Sequence, residues 1–148
     1  MIRRANVLDI SAIIFLLNQM HKVEVPKINT QKLINKINEL LHRGVILVAV
    51  ENNKLVGSIG GITVTDWWSD EPYLSDAWFY VSPDYRKSNF AKNLCMDFIK
   101  VAKDAKMKVR LGHVFSGDLD RKDKFYERLG LVKVGSTYME KYMIKPQK

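Results

Sequence analysis

Apolar positions along this chain recur with two periods, and the switches between them mark out the elements. Ile2 to Ala5 is a short strand candidate. Asn6 is placed to cap a following helix, with Asp9 in the first turn, where the helix dipole favours an acid. Ile10, Ile13, Ile14 and Leu17 then repeat at i, i+3, i+4 and i+7, one face of an amphipathic helix. Val25-Pro26 interrupts that pattern. Thr30 is the expected cap of a second helix, whose stripe is Leu33, Ile34, Ile37, Leu40 and Leu41 and which Gly44 ends.

From there the period shortens. Val45 to Val50 is an unbroken apolar run of the kind buried strands carry, and Leu55 to Val64 is its returning partner. The link between them, Glu51-Asn52-Asn53-Lys54, reads as a hairpin turn because asparagine accepts positive φ. Gly57, Gly60 and Gly61 in the returning strand predict a bulge or a close approach. Thr65 to Leu74 is a loop rich in aromatic and acidic residues.

The central stretch runs from Ser75 to Leu94. Trp78-Phe79-Tyr80-Val81 suits a strand, and Pro83 stops it, since proline has no N–H for a ladder. A small, basic loop follows, Arg86-Lys87-Ser88-Asn89, and then Phe90, Leu94, Phe98 and Ala102 recur at helical spacing to about Lys106. A strand, a tight loop and a helix N-terminus together offer converging N–H groups and partial positive charge to an anion. Val109 to Phe115 is the next strand, Asp118 caps a helix that Gly130 ends, and Leu131 to Val134 and Tyr138 to Ile144 close the chain as two strands. The predicted order is β-α-α-β-β-β-α-β-α-β-β, an α/β (α+β) architecture on a mixed sheet.

Two motifs in that order resemble the GNAT superfamily of N-acetyltransferases. Val81-Ser82-Pro83-Asp84-Tyr85-Arg86-Lys87-Ser88-Asn89-Phe90-Ala91 is similar to the family's V-x-P-x-[YF]-[RQ]-x-x-G-x-[GA] acetyl-CoA motif, except that Asn89 stands where the family usually has glycine. Asparagine tolerates left-handed backbone better than other non-glycine residues but leaves less room for a pyrophosphate. Phe125-Tyr126-Glu127-Arg128-Leu129-Gly130-Leu131 resembles the family's F-Y-E-K-L-G-F signature, and Val134-Gly135 to Tyr138-Met139-Glu140-Lys141 its usual ending. The likeness covers nearly the whole chain and agrees with the predicted order, which is that of the GNAT fold.

The resemblance implies acetyl-CoA as the acetyl donor and an amine, small or peptidic, as acceptor. It implies that the pantetheine arm pairs with main chain near Phe79, Tyr80 and Val81. Arg86, Lys87, Ser88, Asn89, Phe90, Ala91 and Lys92 would hold the phosphates. Tyr126 matches the tyrosine that donates to the departing thiolate in many members; as a bare residue it is equally a half-buried tyrosine packing beside Phe125. Transfer is then expected to run directly in a ternary complex. Cys95, inside a predicted helix, reads as a core thiol rather than a nucleophile.

A general base is not singled out. His113 is in phase with Leu111 and Phe115, which suits a core histidine as well as a base; Asp76 and Glu71 precede the central strand and read as solvated acids as readily as bases. Trp67 and Trp68 predict packing or a homodimer contact first and substrate binding second. No metal-ligand spacing joins the histidines, Cys95 and the acids.

Composition bounds these readings. At 148 residues the chain is expected to form one domain, 1–148. No apolar run reaches the roughly 18 residues of a membrane span, and the start, Met1-Ile2-Arg3-Arg4-Ala5, lacks a signal-peptide core. A single cysteine allows no internal disulfide, which fits a reducing cytoplasm. Residues 1–85 carry 8 Lys/Arg against 9 Asp/Glu, whereas residues 86–148 carry 16 against 7. The positive half begins at Arg86, the start of the basic loop, which points to an anionic ligand there. A non-catalytic module that binds acyl-CoA or nucleic acid is the alternative, but no aromatic–basic RNA-binding signature supports nucleic acid.

Overall fold

The computed structural model describes residues 1–20, 27–112, 118–138 and 140. In chain order the elements are β1 (Ile2–Arg4), α1 (Ile10–Met20), α2 (Thr30–Arg43), β2 (Val45–Glu51), β3 (Lys54–Thr65), β4 (Pro72–Val81), α3 (Phe90–Asp104), β5 (Lys108–Arg110) and α4 (Leu119–Arg128). The five strands lie side by side as β1-β2-β3-β4-β5. The first three pairings are antiparallel and β4–β5 is parallel. The mixed α/β order expected from the sequence is present through α4.

Helices cover both faces of the sheet, which is why β2 reads as an unbroken apolar run. Val45, Leu47 and Ala49 join Leu94, Cys95, Phe98 and Ala102 of α3 in one core, against which Phe125, Tyr126 and Leu129 also pack. Ile46 and Val48 face the other way, toward Ile13 and Leu17 of α1 and Ile37 and Leu40 of α2. Each side chain of the strand thus buries against a different helical layer.

Local chemistry fixes the ends. Asn6 Oδ1 accepts from Leu8 N (2.9 Å), and Asp9 Oδ2 accepts from Asn6 N (2.8 Å). Arg3 grips the same carboxylate through both terminal nitrogens (2.8 and 2.9 Å), a pairing across six residues that no periodicity announces. The cap of α2 is Asn29, one residue before the predicted Thr30: its side chain accepts from Lys32 N (3.0 Å). Asn52 (φ 50) and Asn53 (φ 62) form the hairpin tip as the turn requires.

One expectation is corrected. Gly44 does end α2, but at φ −127 rather than in the left-handed region; it is small because a Cβ there would lie 2.4 Å from Gly61 O. Leu131 to Val134 pairs with no strand among the described residues. Most of the segment expected to pair with it, Tyr138 to Ile144, lies outside the described residues.

The glycines of β3 make room for one side chain. Trp78 is buried, its Nε1–H donates to Ser58 Oγ (3.0 Å), and that hydroxyl donates to Leu47 O (2.9 Å). A Cβ on Gly60 would sit 2.4 Å from the pinned indole ring. Gly60→Ala is therefore expected to cost about 1–3 kcal/mol, the usual penalty of overpacking. The check is the urea midpoint followed by tryptophan emission; an unchanged midpoint would show that the ring moves freely.

Candidate active site

The site forms where the sheet splits. β5 pairs with β4 only through Tyr73↔Lys108, Leu74↔Val109 and Ser75↔Arg110, whereas β4 continues to Val81. From Asp76 onward, that edge of β4 has no strand partner among the described residues.

A bulge lies at the same point. Gly61 pairs with Asp76 and Gly60 with Trp78, so Ala77 is the extra residue on β4. One extra residue reverses the alternation of side chains beyond it. Leu74 packs in the α3/α4 core, Trp78 in the α1/α2 core, and Phe79 and Val81 return to the α3/α4 side. Without the bulge, Trp78 and Leu74 would share a face.

Asp76 sits between these two features. Its Oδ1 accepts from Gly112 N (3.1 Å), just past the end of β5, so a side chain takes the N–H where main-chain pairing stops. Burial pushes the Asp76 carboxyl up to about 6, against the opposing pull of the Gly112 and Asp76 backbone N–H groups. The Tyr126 hydroxyl donates to the carbonyl of that same Gly112 at a long 3.4 Å. Burial also raises Tyr126, helped by the nearby Cys95 and Asp76. Gly112 is thus held at its N–H by an acid and at its carbonyl by a phenol.

The ring of Tyr126 is seated by an aromatic row. Phe125 meets it edge-on at 5.5 Å and 67°, and stacks on Phe79 of β4 at 6.1 Å and 24°. Cys95 lies beneath, fully buried; burial, then the charge of Asp76, pushes its thiol up to about 12. A thiol held protonated in this way is a poor nucleophile.

The chain leaves β4 through a compact loop. Ser82 N donates to Val56 O (2.8 Å), a 3-10 turn covers Pro83–Tyr85, and Ser88 N donates to Tyr85 O (3.2 Å). The Ser88 hydroxyl donates to Tyr85 O and accepts from Phe90 N (3.3 Å), so it closes the loop onto the helix. Asn89 is the N-cap of α3 with φ −86 and no side-chain capping bond. This removes one concern raised by the sequence: the position does not need left-handed backbone, so glycine is not required for conformation. The first bond into the helix is Asn93 N to Asn89 O (2.9 Å). The N–H groups of Ala91 and Lys92 therefore precede the helical ladder, as first-turn N–H groups do.

Arg86 does something the motif does not reveal. Its Nε donates to Val81 O (2.9 Å) and its guanidinium lies over the Tyr80 ring at 5.3 Å, so it folds back along the end of β4. Lys122 of α4 comes near it: burial lowers the lysine pKa, and the Arg86 charge lowers it further, while Asp118 opposes. Sequence reasoning missed Lys122, since it is an ordinary polar position on a helix and only the packing of α4 brings it to the loop. Lys87 and Lys92 are exposed.

The other candidates separate from this cluster. His113 and His21 lie outside the described residues. Glu71 is exposed, just before β4, and its N–H donates to Ser69 Oγ (3.1 Å). Trp67 (96% exposed) and Trp68 (67%) do not pack into either core, which corrects the packing expected of them and leaves the homodimer contact untested. Their turn is clamped from below: Asp66 receives both terminal nitrogens of Arg110 (2.9 and 3.1 Å), whose guanidinium lies 4.3 Å from the Tyr73 ring centroid. Among the described residues no group of His, Cys, Asp and Glu is placed to hold a metal, and no helix is long and apolar enough to cross a membrane.

Comparison with known proteins gives a consistent picture. The family model "Acetyltransferase (GNAT) family" matches residues 12–131. Comparison with curated proteins by sequence finds no match. Among solved structures, a predicted acetyltransferase from Clostridium acetobutylicum with acetyl-CoA superposes with TM-score 0.76 at 18% identity, covering 95% of this chain and 94% of that one. An aminoglycoside 6'-N-acetyltransferase from Acinetobacter haemolyticus gives 0.74 at 15% identity, with 95% and 97% covered. A ribosomal-protein-alanine N-acetyltransferase from Brucella melitensis gives 0.69 at 19%, with 95% and 99% covered. At these identities the likeness speaks to the fold alone.

Proposed function

Because the chain belongs to the acetyltransferase (GNAT) family, we propose that it moves the acetyl group of acetyl-CoA to an amine acceptor, directly and in a ternary complex, with residues 1–148 working as one catalytic domain. The observation that carries this reading is the edge of β4 that has no strand partner among the described residues, which leads from Asp76 to Val81 and on through a short loop to the first-turn N–H groups of α3.

Those residues suit an extended ligand with an amide-bearing arm and an anionic end. The main chain of Phe79, Tyr80 and Val81 offers ladder donors and acceptors to the arm. Ala91 and Lys92 N–H groups, with the side chains of Lys87 and Lys92 and the Arg86–Lys122 pair, suit phosphates. Ser88 acts on the loop rather than the ligand, and Asn89 and Phe90 supply backbone at the helix start. When bound, acetyl-CoA supplies an acetyl group activated as a thioester. Tyr126 holds a proton on Oη at the end of the split, where a leaving thiolate would need one. The buried, protonated Cys95 supports direct transfer over an acetyl-cysteine route.

The test has two stages. Acetyl-CoA at ~100 times its Kd should stabilise the fold by roughly 2.7 kcal/mol, read as a raised melting temperature. A panel of amines that includes aminoglycosides and peptide N-termini should then show free thiol release with at least one acceptor. No shift at millimolar acetyl-CoA, with the protein folded, overturns the donor. A shift without thiol release on any amine leaves the non-catalytic acyl-CoA-binding module.

A further inference from the structure

We propose that the tip between β3 and β4 is the contact surface between two copies of this chain. Trp67 and Trp68 of the two copies meet across a twofold axis, and the acids beside them face lysines of the other copy. The proposal goes beyond the acetyltransferase reading and does not depend on it.

The tip is apolar, exposed and held still. Trp67 is 96% and Trp68 67% exposed. The turn that carries them is fixed by the Arg110 clamp on Asp66, by Ser69 N donating to Asp66 O (3.2 Å) and by Glu71 N donating to Ser69 Oγ (3.1 Å). A loop ordered in advance loses little further entropy on association, and tryptophan is prominent among the residues that anchor interfaces.

Charge selects the occupant. Asp70 and Glu71 at the tip are exposed, and so are Lys106 and Lys108, which follow α3. All four lie at one end of the sheet: Lys108 pairs with Tyr73, and the Thr63 hydroxyl donates to Met107 Sδ at 3.7 Å. None of the four is in an ion pair among the described residues. A basic chain would match the acids and be repelled by the lysines, and an acidic surface would do the reverse. A second copy, turned about a twofold axis, sets each set against its opposite. Elsewhere a net charge of +8 works against self-association.

Size agrees. A tryptophan buries about 150–250 Å², so four indoles supply roughly half or more of the ~1,200 Å² at which specific interfaces begin. The tip precedes Pro72, at the opposite end of β4 from Val81, so this contact is remote from the loop that leads to α3.

Sedimentation equilibrium of the whole chain tests the proposal. With rising concentration wild type should pass from 17.1 kDa toward twice that mass, and its tryptophan emission should move to shorter wavelength as indoles leave water. Trp67→Ser/Trp68→Ser should associate at least about 30-fold more weakly, as loss of an interface anchor does. Charge reversal separates a lost contact from a lost fold. Asp70→Lys/Glu71→Lys and Lys106→Glu/Lys108→Glu should each stay monomeric alone, since like charges then meet across the axis, and an equimolar mixture of the two should form a mixed dimer. A wild type that remains at 17.1 kDa at every concentration would overturn the proposal. So would a tryptophan variant that associates as wild type does, or reversed variants that fail to pair when mixed although wild type dimerises. If wild type stays monomeric and its emission shifts only with phosphatidylcholine vesicles or polylysine, the tip serves a lipid surface or a basic chain and not a second copy.

Discussion

Tyr126→Phe should lower kcat by about 10²–10⁴-fold while the protein melts near the wild-type temperature. The substitution removes one hydroxyl and keeps the ring, so the edge-on contact with Phe125 and the Phe125–Phe79 stack remain. The hydroxyl's hydrogen bond to Gly112 O is long, 3.4 Å, and contributes little to folding. The Tyr126 pKa is raised, chiefly by burial, so the group holds its proton at neutral pH and is available as a donor. A thioester sulfur in the ground state is a poor acceptor, whereas a departing thiolate is a strong one. Loss of the donor therefore falls on the transition state, and acetyl-CoA affinity should change far less than kcat. The measurement needs an acceptor on which chemistry limits the rate. Undiminished kcat would take Tyr126 out of the mechanism; an unfolded variant would make it a core residue instead.

Much of this site was legible because its parts lie close together in sequence. Val81 to Ala91 places a strand end, a proline stop and a helix start within one short run, and each follows from a local rule. Phe125-Tyr126 likewise sits on a helix whose period and terminal Gly130 (φ 85) are plain in the sequence. The errors fall where two local rules tie or where geometry is not local. Asn29 and Thr30 are both good caps, and only the structure chooses between them. The bulge at Ala77 is marked on the neighbouring strand, by Gly60 and Gly61, and not on β4 itself.

Non-local contacts account for the rest. Asp76 meets Gly112 across 36 residues, and nothing in the run Ser75-Asp76-Ala77 distinguishes it from a solvated acid. Arg86 is spent partly on Val81 O and the Tyr80 ring, a return of the loop on its own strand that a motif read as a phosphate contact does not show. Trp67 and Trp68 went the other way. Adjacent tryptophans suggest a core, yet the Asp66–Arg110 clamp fixes the turn beneath them and leaves both indoles in solvent. A chemically informative residue is thus recognisable early, but its partner is not.

Asp76→Asn should make the protein more stable at neutral pH. The folded-state pKa of about 6 lies above the ordinary 3.8, with burial as the main cause. Between those two values the folded chain keeps a proton that the unfolded chain has lost. The contribution of this group is therefore fully present below about 3.8 and is lost as pH rises through about 6. At pH 7.5 the ionised carboxylate costs the fold up to about 3 kcal/mol, at 1.36 kcal/mol per unit of pKa. Asparagine has no such charge and retains an acceptor for Gly112 N. The variant should melt roughly 5–10 °C above wild type at pH 7.5, a gap that closes as pH falls toward 4. Other acids act in the opposite direction: the Arg3 hydrogen bonds hold Asp9 below its usual range, so its contribution is lost on acidification. That effect is common to both proteins, and the difference between the two melting curves isolates Asp76. A gap that is absent at pH 7.5, or that widens toward pH 4, would mean that the carboxylate is not buried at a cost. A gap that closes as expected would mark Asp76 as a position where the fold gives up stability to keep a negative charge beside Tyr126.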